Sequence, residues 1–179
     1  MDSLGRIFAA VPLPPPVGMA LAESLAPHPI PGRLAPPENW HITLRFLGRV
    51  DQVTYERFLS ALEVEEFEPF RVRLGGIGAF PNPRRATVIW VGVEEGDSGL
   101  AALNEITEEA AQRAGLEAEE RPFHPHLTLS RVRPPADIRD LEGVTVDLGW
   151  RCDRVVVYRS HTGRGGARYE PLETVRFGG

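Results

Sequence analysis

The tetrapeptide His41-Ile42-Thr43-Leu44 returns nearly unchanged as His126-Leu127-Thr128-Leu129. Each copy sits in a run that reads as a strand, WHITLRFLG (40–48) and HLTLSRV (126–132). Each is preceded by another strand-like run and then a helical one. RIFAAV (6–11) and VGMALAESLA (17–26) precede the first, and ATVIWVGV (86–93) and GLAALNEITEEAAQRAG (99–115) precede the second. A repeat of this kind commits the chain to two related strand–helix–strand halves, an α+β architecture with internal pseudo-symmetry. The expected whole is one domain over residues 1–179.

Alternation along a strand gives the repeat a chemical meaning. His41 and Thr43 share one face, and Ile42 and Leu44 share the other. His126 and Thr128, against Leu127 and Leu129, repeat the arrangement. Each motif therefore has an oily face for the core and a face bearing an imidazole beside a hydroxyl. Imidazole exchanges protons near neutrality, and a threonine hydroxyl can donate to an oxyanion. Two such pairs on opposite sides of a cleft supply a general acid and a general base. In-line displacement at phosphorus requires both, with hydroxyls and arginines stabilising the non-bridging oxygens.

The remaining segments complete the expected order. PLPPP breaks the first strand, and APHPIPGRLAPPEN is a proline-rich connection. QVTYERFLSAL (52–62) is helical, and FRVRLGGIGAF (70–80) is a strand. VTVDLGW (144–150) and DRVVVYRS (153–160) form a hairpin-like pair, and RYEPLETVRF (168–177) closes a sheet.

Composition removes several alternatives. All 20 basic residues are arginine, so no lysine is available for a Schiff base, a Walker-type phosphate contact or an adenylated intermediate. The one cysteine, Cys152, excludes an internal disulfide and a multi-cysteine metal site. The spacing of His124 and His126 suits a metal, but two ligands without nearby acids are too few, and none is expected. Net charge is −5, yet residues 121–168 carry nine arginines and five acids, which allows a local basic surface. No apolar run is long enough to cross a membrane. The N-terminus lacks the basic start of a secretory signal. A cytoplasmic monomer is expected.

On the quoted residues the chain resembles the two-histidine (2H) phosphoesterase superfamily. Within it the chain resembles the bacterial RNA 2′,3′-cyclic phosphodiesterases, also called 2′-5′ RNA ligases (LigT-like). RIFAAVPLP, ENWHITLRFLG, FHPHLTLSR and YRSHTGRGGARYEPL carry the likeness, in that order, across most of the chain. The resemblance implies an α+β fold with two lobes flanking a cleft. It implies hydrolysis of a 2′,3′-cyclic phosphate to a 2′-phosphomonoester without metal or nucleotide cofactor, and joining or cleavage of 2′-5′ linkages in RNA. It assigns His41 and His126 as the catalytic pair, with Thr43 and Thr128 on the phosphate. Motif identity leaves open which histidine is acid and which base; a product with a free 3′-hydroxyl needs the acid behind the 3′-oxygen, and His41 is taken as that acid and His126 as the base. Arg131 is expected near the phosphate or its base, on the His126 face of a regular strand, and Arg45 stands in the same relation to Thr43. Phe123 and Tyr169 are candidates to stack a base, whereas alternation puts Phe46 in the core. His161 is expected to be a solvated loop residue. The rival functions are a phosphodiesterase for small cyclic nucleotides and a non-catalytic module that binds RNA ends.

Overall fold

The computed structural model describes residues 2–178. Its strands are β1 (Ser3–Pro12), β2 (Arg33–Leu34), β3 (His41–Asp51), β4 (Phe70–Phe80), β5 (Ala86–Glu95), β6 (His126–Ala136), β7 (Gly149–Cys152), β8 (Arg154–His161) and β9 (Arg168–Arg176). The helices are α1 (Pro15–Leu25), α2 (Gln52–Ala61) and α3 (Asp97–Arg113). All the strand pairs are antiparallel, in the order β7-β4-β5-β6-β3-β1-β8-β9, with β2 added to β6. The fold is α+β. Among the described residues no helix is long and apolar enough to cross a membrane.

The helices begin where local chemistry favours it. Asp51 accepts a hydrogen bond from the backbone N–H of Thr54 and caps α2. Pro15 opens α1, where its missing N–H costs nothing. Leu100, Leu103, Ala110 and Ala111 recur at helical spacing on α3 and are fully buried.

The sheet consists of two four-stranded blocks that meet at β3 and β6. At the seam Ile42 pairs with Leu127, and both are fully buried. The internal repeat extends to register. Val11 pairs with Ile42 in one block, and Val91 pairs with Leu127 in the other.

Both motif strands also carry a bulge at the same place. Ala10 pairs with Thr43 but Ala9 pairs with Arg45, so Leu44 is an extra residue. Trp90 pairs with Thr128 but Ile89 pairs with Ser130, so Leu129 is extra. A bulge leaves a backbone group without its ladder partner. The Leu44 carbonyl accepts from Asn104 Nδ2 on α3 at 2.9 Å. The Leu129 carbonyl accepts from the Ala35 N–H at 2.7 Å.

The expected hairpin between 144–150 and 153–160 does not form. Residue 145 makes only an isolated bridge with Gly76, and β7 lies beside β4 while β8 lies beside β1. Asp153 alone joins β7 to β8, and one residue is too short for a hairpin turn. The chain instead crosses from one block to the other. The C-terminal strands therefore complete the block that holds β1 and β3.

Candidate active site

Because Ile42 and Leu127 pair and both point into the core, their neighbours point together to the opposite face. His41 and Thr43 from β3, and His126 and Thr128 from β6, therefore occupy one face at the seam. The imidazoles are close enough that charge on His126 lowers the proton affinity of His41.

The same backbone device orients both rings. His41 Nδ1 lies 2.7 Å from the Asn39 carbonyl, and His126 Nδ1 lies 2.6 Å from the His124 carbonyl. A carbonyl oxygen only accepts, so each Nδ1 carries the hydrogen. In a neutral ring this leaves a lone pair on Nε2. His41 Nε2 is 2.9 Å from Thr43 Oγ1, and the hydroxyl donates to it. Burial is the largest cause of depressed proton affinity in both rings. It takes the His41 pKa down to about 4 and lowers that of His126. The carbonyl bonds oppose these shifts. The free site therefore holds two neutral imidazoles at pH 7.

Aromatic walls account for the burial. Phe8 lies 4.9 Å from the His41 ring, Tyr169 stands edge-on at 5.3 Å, and Tyr158 lies at 6.3 Å. On the other side Phe80 is edge-on to His126 at 5.0 Å, and Trp90 is at 6.2 Å. The Trp90 indole lies across Gly78 of the neighbouring strand. A Cβ at residue 78 would stand 2.3 Å from Trp90 Cη2, so only glycine leaves room for the ring.

The bulges set the direction of the residues beyond each motif. Alternation from His126 would send Arg131 to the face of Leu127 and Leu129. The extra residue Leu129 reverses the parity, so Ser130 is buried and Arg131 is exposed. Arg131 thus reaches the His126 face as expected, but by way of the bulge and not of a regular strand. Its guanidinium lowers the proton affinity of both His126 and Tyr169.

The equivalent bulge at Leu44 overturns two expectations. Arg45 turns inward and is only 8 % exposed. It donates to Glu108 and to the carbonyls of Phe46 and Glu117, which anchor its guanidinium within the fold on the side away from the histidines. Phe46, expected in the core, is 55 % exposed on the cleft side, 5.9 Å from Phe8.

Tyr169 is at the site. Phe123 is not among the rings around either histidine; it packs against the core. His161 ends β8 with Nε2 2.7 Å from Glu170 Oε1, so it is not a free loop residue. The His124 ring packs on Phe80 and Trp90 at 5.3 and 5.1 Å. Among the described residues no group of three or more His, Cys, Asp or Glu side chains is arranged to hold a metal.

Sequence reasoning missed Phe8, Tyr158, Phe80 and Trp90. Strand alternation offered a signal for Phe8 and Trp90. Ala10 and Trp90 are the residues paired with Thr43 and Thr128, and Phe8 lies two positions from Ala10.

Known proteins share the sequence and the fold. Residues 19–164 match the 2′-5′ RNA ligase superfamily. An RNA 2′,3′-cyclic phosphodiesterase of Aeropyrum pernix is 36 % identical over 129 residues, 72 % of this chain and 73 % of the relative. The protein of that name from Escherichia coli is 31 % identical over 176 residues, 97 % of each chain. The crystal structure of E. coli LigT complexed with 3′-AMP superposes with a TM-score of 0.80 at 28 % identity, covering 98 % of this chain and 99 % of the other. With a match spanning most of its length and both His-x-Thr pairs gathered on one face of the seam, the chain belongs to the 2′-5′ RNA ligase superfamily.

Proposed function

We propose that the chain hydrolyses the 2′,3′-cyclic phosphate at the end of an RNA to a 2′-phosphomonoester, by general acid–base catalysis without a metal or cofactor. The observation that carries this is the pair of oriented Nε2 atoms, each with a threonine hydroxyl two residues on, on one face of the seam. His126 takes a proton from water as the water oxygen bonds to phosphorus. The bond from phosphorus to O3′ breaks, and protonated His41 delivers its proton to O3′. Thr43 leaves His41 Nε2 to donate to a non-bridging oxygen, and Thr128 and Arg131 hold the phosphate from the other side.

Binding of the anionic phosphate raises the proton affinity of the imidazoles, reversing the effect of burial. The acid therefore acquires its proton with the substrate. The same chemistry run on 2′-5′ linkages provides reversible joining of RNA. The relatives named RNA 2′,3′-cyclic phosphodiesterase, and a LigT structure holding 3′-AMP, support the substrate class. The reading extends to residues 1–179 acting as one two-lobed unit, monomeric and cytoplasmic.

The test is a short RNA ending in a 2′,3′-cyclic phosphate, incubated with protein in excess EDTA, with the end group then identified. A 2′-phosphate is expected. A 3′-phosphate reverses the orientation of the substrate, and no product removes the assignment.

A further inference from the structure

The proline-rich segment before His41 is strapped to the wall of the site. Ser130 Oγ donates to the Pro31 carbonyl at 2.6 Å, and the Ala35 N–H donates to the Leu129 carbonyl at 2.7 Å. Between them Gly32, at φ +84°, passes so close to β6 that a Cβ would lie 2.5 Å from the Arg131 carbonyl oxygen. Only glycine permits that approach. The result is a two-residue strand, β2, whose Arg33 pairs directly with Arg131.

Residues opposite each other in an antiparallel pair project to the same side. Two like-charged side chains thus leave the sheet from directly opposite positions, an arrangement that is unfavourable in isolation. Neither has a carboxylate within ion-pair distance among the described residues. The Arg33 guanidinium lies about 3.5 Å from where a Cβ on Gly166 would stand. Gly166 belongs to the glycine-rich loop that joins β8 to β9. The Asn39 side chain fastens that loop at the Ala167 carbonyl, 2.7 Å away. Arg73, Arg139 and Arg154 do pair with acids, so what sets Arg33 and Arg131 apart is their direct opposition across two strands.

We propose that Arg33 forms, beside Arg131, a subsite for the first internucleotide phosphate 5′ of the reacting end. The inference rests on the proposed RNA reading and adds to it a reason for acting on chains and not on single nucleotides. Arg131 is near enough to His126 and Tyr169 to affect both. Arg33 is one strand further out, about 5 Å on, a step comparable to the spacing of successive phosphates.

The test compares R33A with wild type on a nucleoside 2′,3′-cyclic phosphate and on a dinucleotide ending in the same group. The expected result is a KM raised about tenfold for the dinucleotide alone, as suits the loss of one charge-assisted contact. A second measurement does not need turnover. Binding of a fluorescent pentaribonucleotide with an ordinary 3′-hydroxyl is monitored against salt. R33A lowers the slope of log affinity against log salt by about 0.7, the loss of one phosphate contact on a single strand. R57A, on the distant helix α2, leaves the slope unchanged. Equal losses on both substrates, or an unchanged slope in R33A, overturn the subsite. Should wild type turn over neither substrate, the catalytic reading fails while the salt slope still decides the subsite.

Discussion

The two half-sites share a backbone and differ in their walls. On both sides a carbonyl two residues upstream holds Nδ1, a threonine stands two residues downstream, and an extra leucine then bulges the strand. Beyond the bulge the sides part. The inward residue is Arg45 in one half and Ser130 in the other, each tied to the fold. The outward residue is Phe46 in one half and Arg131 in the other. His41 is enclosed by Phe8, Tyr158 and Tyr169 with its Nε2 bonded to Thr43, whereas His126 faces Phe80, Trp90 and a cation. A reaction nearly symmetric about phosphorus needs matched proton carriers. The substrate is not symmetric, with a nucleoside on one side and water on the other. In the proposed reaction the duplicated parts carry the chemistry and the diverged parts meet the substrate.

Removing one member of the matched pair has the largest expected effect. H41A and H126A each lower turnover by roughly 10²–10⁴, measured as initial rates on a cyclic-phosphate RNA. The diverged residues matter less and unequally. R131A lowers kcat/KM roughly 10- to 100-fold through a lost charge-assisted contact. F46A costs about fivefold, in a manner that depends on the terminal base. Equal effects at 46 and 131 would contradict the division between aromatic and cationic sides.

The walls can be broken without touching a histidine. G78A drives a methyl into the Trp90 indole and destabilises the fold by about 1–3 kcal/mol, read as a lowered denaturant midpoint with a changed tryptophan emission. If the clash is the cause, G78A/W90A loses less stability than the sum of G78A and W90A.

The smallest effect is on pH dependence, and burial sets its sign. The folded pKa of His41 lies near 4, below the 6.5 of an unfolded histidine. Between those values the unfolded chain binds the proton more tightly. The stability from a neutral His41 is complete above pH 6.5 and is lost as pH falls towards 4. Denaturant midpoints fall across that window, and H41Q falls less steeply. In kinetics, kcat/KM reports the free enzyme and kcat the complex. The alkaline limb of kcat lies at higher pH than that of kcat/KM, because bound phosphate restores proton affinity.

The same division between shared backbone and private walls governs how much of the molecule is legible in its sequence. The His-x-Thr pairs are readable because period-two alternation places both polar groups on one face whatever the partner strand. Phe46 is misread, and Arg45 with it, because a bulge without glycine leaves no mark. The extra leucine is visible only against the register of β1. Residues 31–35 read as a connection because proline dominates them, and the two-residue β2 is held by bonds to residues about a hundred positions away. The runs at 144–150 and 153–160 look like a hairpin because each has strand composition, while their true partners, β4 and β1, lie elsewhere in the chain.

Whether the two histidines act in one step is decided by the double variant H41A/H126A. Residues acting as a unit are not additive in their removal. A shared pair gives a double variant about as slow as the slower single one, with folding and oligonucleotide binding retained. Losses that multiply would mean two independent contributions and would contradict a shared acid–base pair.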